Sequence, residues 1–209
     1  MSVLDKISHF QNRRDDIPNQ ELARELAESN NLTGIREIAE NLFNKDKNIA
    51  NDCIKVLYEI GYIYPELISD FALDFVKLLK SRNNRMVWGT MISLSLIAPI
   101  KADVLFNNLE PIYSAIKEGS VITVDNGIKV LAIIASKNEQ YNKEIFPYLL
   151  NHLRTCRPKE VAQHSESIFV SVDSGNKESF VEVLKQREIS LSSSQLVRVK
   201  KLYKKALVI

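Results

Sequence analysis

The one tryptophan of this 209-residue chain, Trp88, stands three residues after Arg85 in the stretch NNRMVWG. Indole and guanidinium groups are enriched where proteins bind one another, because a broad rigid ring and a planar donor fork gain contact at little entropic cost. Asp125 adds a carboxylate, flanked by Thr123 and Asn126, and a second polar group follows at Lys159, Gln163, His164 and Glu166. His152 and Cys156 lie four residues apart and can face one way on a helix. Zinc takes three or four ligands and no third lies nearby in sequence, so no metal or cofactor is expected. Six scattered glycines form no phosphate loop, and neither a nucleophile elbow nor a metalloprotease helix is present. These residue types point to recognition rather than catalysis.

The elements that must carry them follow from a repeat. IKVLYEIG from Ile54, MISLSLIA from Met91 and IKVLAIIA from Ile128 are alike, and a degenerate copy, SESIFVSV, begins at Ser165, each start 37 residues after the one before. Leu57, Leu94, Leu131 and Ile168 share one column, Ile60, Ile97 and Ile134 a second, and Gly61, Ala98 and Ala135 a third. Such self-similarity marks stacked supersecondary units. Val87, Met91, Leu94 and Ala98 recur at helical spacing, as do Leu67, Phe71, Phe75, Leu78 and Leu79 between the copies. Each unit is therefore expected to be a helical hairpin, with the small third column allowing close contact at its turn. SVITVD, from Ser120, is rich in β-branched residues. The register places Val124 with Ala50 and Val87, which predicts loop leading into helix, capped by Ser120 or Asp125 after Gly119 ends the preceding helix.

On a helical wheel advancing about 100° per residue, Met91, Leu94 and Ala98 fall within roughly 40° of Val87. Trp88 lies about 100° away and Arg85 about 160° away, so Arg85 is expected to face water. Two readings stand for Trp88, a binding residue or packing against the neighbouring unit. Asp125 is a binding carboxylate or a helix cap, and His164 a binding residue or a structural one.

The ends depart from the repeat, as end units must. Pro18 opens a helix through Leu22 and Leu26, and Thr33 is placed to cap another with Ile35, Ile38, Leu42 and Phe43. Ser192 to Ser194 precede a last helix with Leu196, Val199, Leu202, Tyr203 and Ala206 on one face. Arg198, Lys200, Lys201, Lys204 and Lys205 form its other face, either a nucleic-acid patch or a solvated outer surface. The expected organisation is one domain over 1–209, with capping helices in 1–46, repeats of about 37 residues in 47–190 and a basic capping helix in 191–209.

The 28 Lys and Arg against 26 Asp and Glu leave +2, too little to imply a polyanionic partner. Two distant cysteines, with no apolar leader in MSVLDKISHF, suggest a reducing cytoplasm. MISLSLIAPI is broken after about ten residues, short of the ~20 that span a bilayer, so no membrane helix is expected.

Paired helices of this period, small residues ending the second helix, and prolines in the first helices (Pro111, Pro147) resemble HEAT and armadillo-type repeats over residues 47–190. The resemblance implies an all-α, right-handed α-solenoid of HEAT-like helical hairpins. It further implies a non-enzymatic scaffold or adaptor whose second helices line a concave face that holds a protein or peptide. On that face Arg85, Trp88, Thr123, Asp125, Asn126, Lys159, Gln163, His164 and Glu166 would form one strip. The Asp-to-Arg ladder common in HEAT repeats is missing, since the column reads Asn51, Trp88, Asp125 and Ala162. An alternative resemblance is to HEAT-like alkylpurine DNA glycosylases, in which Trp88, Asp125 and Arg85 would meet a cationic lesion. A single tryptophan and no strongly basic groove depart from that pattern.

Overall fold

A computed structural model describes residues 2–209. Among the described residues there are eleven α-helices and no strand: α1 (Ile17–Glu28), α2 (Leu32–Glu40), α3 (Lys47–Ile63), α4 (Ala72–Leu78), α5 (Asn84–Phe106), α6 (Leu109–Glu118), α7 (Val121–Ala135), α8 (Glu139–Thr155), α9 (Pro158–Ile168), α10 (Lys177–Arg187) and α11 (Ser193–Ala206). The repeat helices α3, α5, α7 and α9 start at residues 47, 84, 121 and 158, each 37 residues after the last. The spacing read from the apolar columns is thus the spacing of the helices. Two compact units divide the chain, one ending at Gly127 and the other comprising Ile128–Ile209, with the boundary inside α7.

In the N-terminal unit α3 packs against α1, α2 and α5, and α5 also packs against α4. The stripe Met91, Leu94 and Ala98 is fully buried, with Val87 buried at its edge. Gly61 lies in close contact near the end of α3: a Cβ there would sit 2.6 Å from Ile68 Cδ1, which would have to shift. That is the close approach the small-residue column implies.

The hairpin expectation holds less well here. The stretch before α4 is a 3₁₀ turn, Pro65–Phe71, and α5 bends at Lys101 (φ −114°, ψ 29°), two residues after Pro99. Proline lacks the N–H of the helical ladder and its ring crowds the carbonyl four residues back, so the helix breaks there. Each of these repeats is therefore built from three helical pieces, the pattern that separates armadillo from HEAT repeats. Running through Pro99, α5 reaches 23 residues, longer than the sequence suggested and apolar enough to cross a bilayer by length and composition. Its most apolar window is 61% buried within the fold, so its apolar character is met by packing on α3 and α4.

Two local expectations are corrected. Asn31, not Thr33, caps α2, its side chain accepting from the Gly34 N–H at 2.9 Å. SVITVD is helix from Val121 onward, because Ser120 serves as the cap: its carbonyl accepts from the Val124 N–H at 2.9 Å and its hydroxyl from the Thr123 N–H at 3.4 Å. Asp125 therefore lies inside α7 and is no cap.

In the C-terminal unit α8 packs on α9 and α10, and α11 packs on α9 and α10 through Val199, Leu202 and Ala206, all buried. Ser192 opens α11 with a capping box to Gln195. Asn142 is buried between elements, donating to the carbonyls of Ala135 (3.3 Å) and Ser171 (2.7 Å) and accepting from Asn176 (3.0 Å).

Candidate partner-binding surface

The start of α5 is held from three sides. Asn83 accepts from the Arg85 N–H at 3.1 Å and donates to Asn51 of α3 at 2.7 Å, joining two successive repeats. Arg85 does not face water freely. It is half-buried and donates to Asp16, the residue before α1, at 2.9 Å. Packing of α1 on α3 delivers that carboxylate, which a wheel of α5 alone cannot include. Asn83→Ala removes the cap and the Asn51 bond together, and chemical denaturation should register a loss of about 0.5–2 kcal/mol.

Trp88 is half-buried and leans on Tyr58 of α3, ring centroids 6.0 Å apart at 50°. Tyr58 in turn meets Tyr62 edge-on at 6.1 Å, and Tyr62 is 59% exposed. Beside them Lys55 pairs with Glu59 at 2.5 Å, with its ammonium 4.8 Å from the Tyr58 ring centre. Burial works against the Lys55 charge, but the Glu59 carboxylate and the Tyr58 hydroxyl outweigh it and raise its pKa. Burial likewise raises the Tyr58 and Tyr62 phenols. Lys55, Tyr58, Glu59 and Tyr62 escaped the sequence reading. Their signal was the three- and four-residue spacing that puts them on one face of α3.

Of the α7 residues, Asp125 is half-buried, and Asn126 accepts from the Ser95 hydroxyl of α5 at 3.2 Å while donating to the Ile122 carbonyl at 2.9 Å. Thr123 is fully buried and bonded to Ser120 at 3.1 Å, so it belongs to the helix start and not to a partner surface. The repeat register carried this information: Thr123 shares its column with Met86, which is also buried. A groove of 730 Å³ in the same unit, lined by residues including Leu79, Arg82, Val87, Glu110 and Glu118, involves none of the strip residues.

In the C-terminal unit Lys159 and Gln163 are exposed. His164 is not on the surface; it is fully buried and hydrogen-bonded to His152 at 2.9 Å. Its register column, Cys53, Thr90 and Gly127, is buried throughout. Glu166 is exposed but gripped by Arg198 of α11 through two bonds of 2.8 and 2.6 Å. The basic face thereby spends one of its five cations internally. Lys200, Lys201, Lys204 and Lys205 are exposed, with the Lys205 ammonium 6.0 Å from the Phe169 ring centre.

The Arg198 bond holds the Glu166 carboxyl below its usual 4.5, and the Arg157 bond does the same for Glu160, more deeply buried at the start of α9. A carboxyl with a depressed folded pKa adds stability above its unfolded value, lost as pH falls through the folded one. Glu166→Gln should thus cost about 0.2–1 kcal/mol near neutrality, discounted for exposure, with the difference from wild type closing in acid below 4.5. Denaturant titrations at several pH values measure it.

No protein-family model matches the sequence, and no curated protein matches it. Solved structures do match. A designed armadillo repeat protein in complex with the peptide (KR)4 aligns at TM-score 0.68 with 16% identity, covering 90% of this chain and 85% of that one. A computationally designed armadillo repeat protein for modular peptide recognition aligns at 0.68 with 12% identity, covering 98% of each chain. An engineered protein from a structural genomics programme aligns at 0.66 with 19% identity, covering 100% and 98%. The fold is an armadillo/HEAT-type α-solenoid. The three-part repeats of the N-terminal unit give the same answer from within the chain, since the Pro99 break turns the end of one α-helix into the first short helix of the next repeat.

Proposed function

We propose that this α-solenoid is a non-enzymatic scaffold that binds an extended protein or peptide segment on the exposed side of α3 and α5. The observation that carries the reading is the aromatic run of Tyr62, Tyr58 and Trp88 across two successive repeats, with Lys55 and Glu59 alongside. Tyr58 is buried beneath the run, so the exposed ring of Tyr62 and the half-buried ring of Trp88 supply the faces that accept apolar and cationic side chains, and the Asn51–Asn83 bond ties the same two repeats together. Support by likeness comes from the designed neighbours, one solved with (KR)4 and one made for modular peptide recognition.

The runner-up is a DNA-binding protein related to HEAT-like alkylpurine glycosylases. The Arg85–Asp16 ion pair favours the scaffold, because it commits to the fold a cation that a lesion pocket would need free. Panning a random peptide display library against the purified chain should enrich one related set of peptides. Failure to enrich any, together with duplex binding that weakens from about 50 to 200 mM salt and release of alkylated bases, would reverse the choice.

A further inference from the structure

The chain holds only three histidines and two cysteines, and three of these five side chains gather at one place in the C-terminal unit. His152 and Cys156 stand one turn apart at the end of α8, and His164 reaches them from α9 across the short turn at Arg157. One ligand atom from each lies within 4.8 Å of the other two. The sequence offered only the first pair; folding α9 back on α8 supplies the third.

We propose that His152, Cys156 and His164 bind one zinc ion through two imidazole nitrogens and a thiolate. Imidazole and thiolate are the donors zinc prefers, and three protein ligands leave a fourth position for water or a donor from a partner. Tetrahedral zinc with bonds of about 2.0–2.1 Å to nitrogen and 2.3 Å to sulfur sets the two nitrogens about 3.3 Å apart and each about 3.6 Å from sulfur. His152 Nε2 and His164 Nδ1 are 2.9 Å apart, so the rings need part by only a few tenths of an ångström. The Cys156 sulfur sits 3.8 Å from the Leu153 carbonyl, a weak contact that metal binding can replace. Binding breaks the direct His152–His164 bond, the proton that bridged the two rings moves through solvent to the other nitrogen of the ring that carried it, and the Cys156 proton passes to solvent as the thiolate forms.

The surroundings are those of a supported site. His164 is fully buried and His152 half-buried, which fixes one ligand in the fold and keeps an entry path at the other. Arg187 of α10 donates to the carbonyls of Leu153 (2.8 Å), Arg154 (2.6 Å) and Cys156 (2.8 Å). It therefore pins the backbone that carries Cys156, and its charge offsets in part the burial that pushes the thiol up to about 11.

The test uses untagged protein stripped with chelator. Cobalt(II) should give a thiolate charge-transfer band that zinc abolishes at one equivalent, and zinc should raise the melting temperature. Cys156→Ser should weaken zinc binding by at least about tenfold, whereas Cys53→Ser should leave it unchanged; circular dichroism confirms that both fold. His152→Asn, at a half-buried position, should also remove the tight site. Absence of the cobalt–thiolate band, or zinc binding indifferent to Cys156→Ser and His152→Asn, overturns the proposal and leaves the histidines as a packing pair.

Discussion

Leu94→Ala is expected to destabilise the protein by about 2–5 kcal/mol and to lower its melting temperature by on the order of 10 °C. Leu94 has no exposed surface and sits on α5, which packs between α3 and α4, so the deleted atoms leave a cavity that two neighbours must close at once. Rigid helices relax into such a space only in part, and the cavity term adds to the lost transfer energy. Leu73→Ala is the matched control. That leucine is 52% exposed on α4, and its loss should change stability by no more than about 0.5 kcal/mol. Calorimetry on both variants decides the matter: equal effects would mean that the register of columns does not describe the core.

The second large effect concerns the aromatic run. For a peptide obtained by panning, Trp88→Ala should weaken binding about 30-fold, near 2 kcal/mol, as for a central aromatic anchor. Tyr62→Ala should weaken it as well while leaving stability almost untouched, because Tyr62 is 59% exposed. Trp88→Ala will also cost some stability through the Tyr58 contact, so Tyr62 is the cleaner probe. Acrylamide should quench Trp88 fluorescence partially in the free protein and less with peptide bound. Undiminished binding by both variants would move the site away from α3 and α5.

These two expectations differ in how much of them was readable beforehand. The core was legible because burial of apolar side chains depends on helical period, and period is a one-dimensional property. Helix starts at 47, 84, 121 and 158 follow the columns without a slip. The surface was less legible. Arg85 was expected in water because a wheel knows only its own helix, and the carboxylate that claims it, Asp16, is 69 residues earlier in the chain. Glu166 is claimed in the same way by Arg198, 32 residues later. Thr123 and His164 were a different kind of miss. The His164 column is otherwise buried, and Thr123 shares its own with the buried Met86 and Glu160, so the register held the answer, but polar side chains drew the reading toward function.

By itself, then, the sequence determined the helical class, the 37-residue unit and the identity of the buried stripe, since each follows from spacing along the chain. The three-part repeats, the run from Tyr62 to Trp88 and the meeting of His152, Cys156 and His164 were decided by tertiary structure. Each depends on which faces of separate helices come together. A polar or aromatic side chain gains its role from the partner it meets there, and spacing within one helix does not specify that partner.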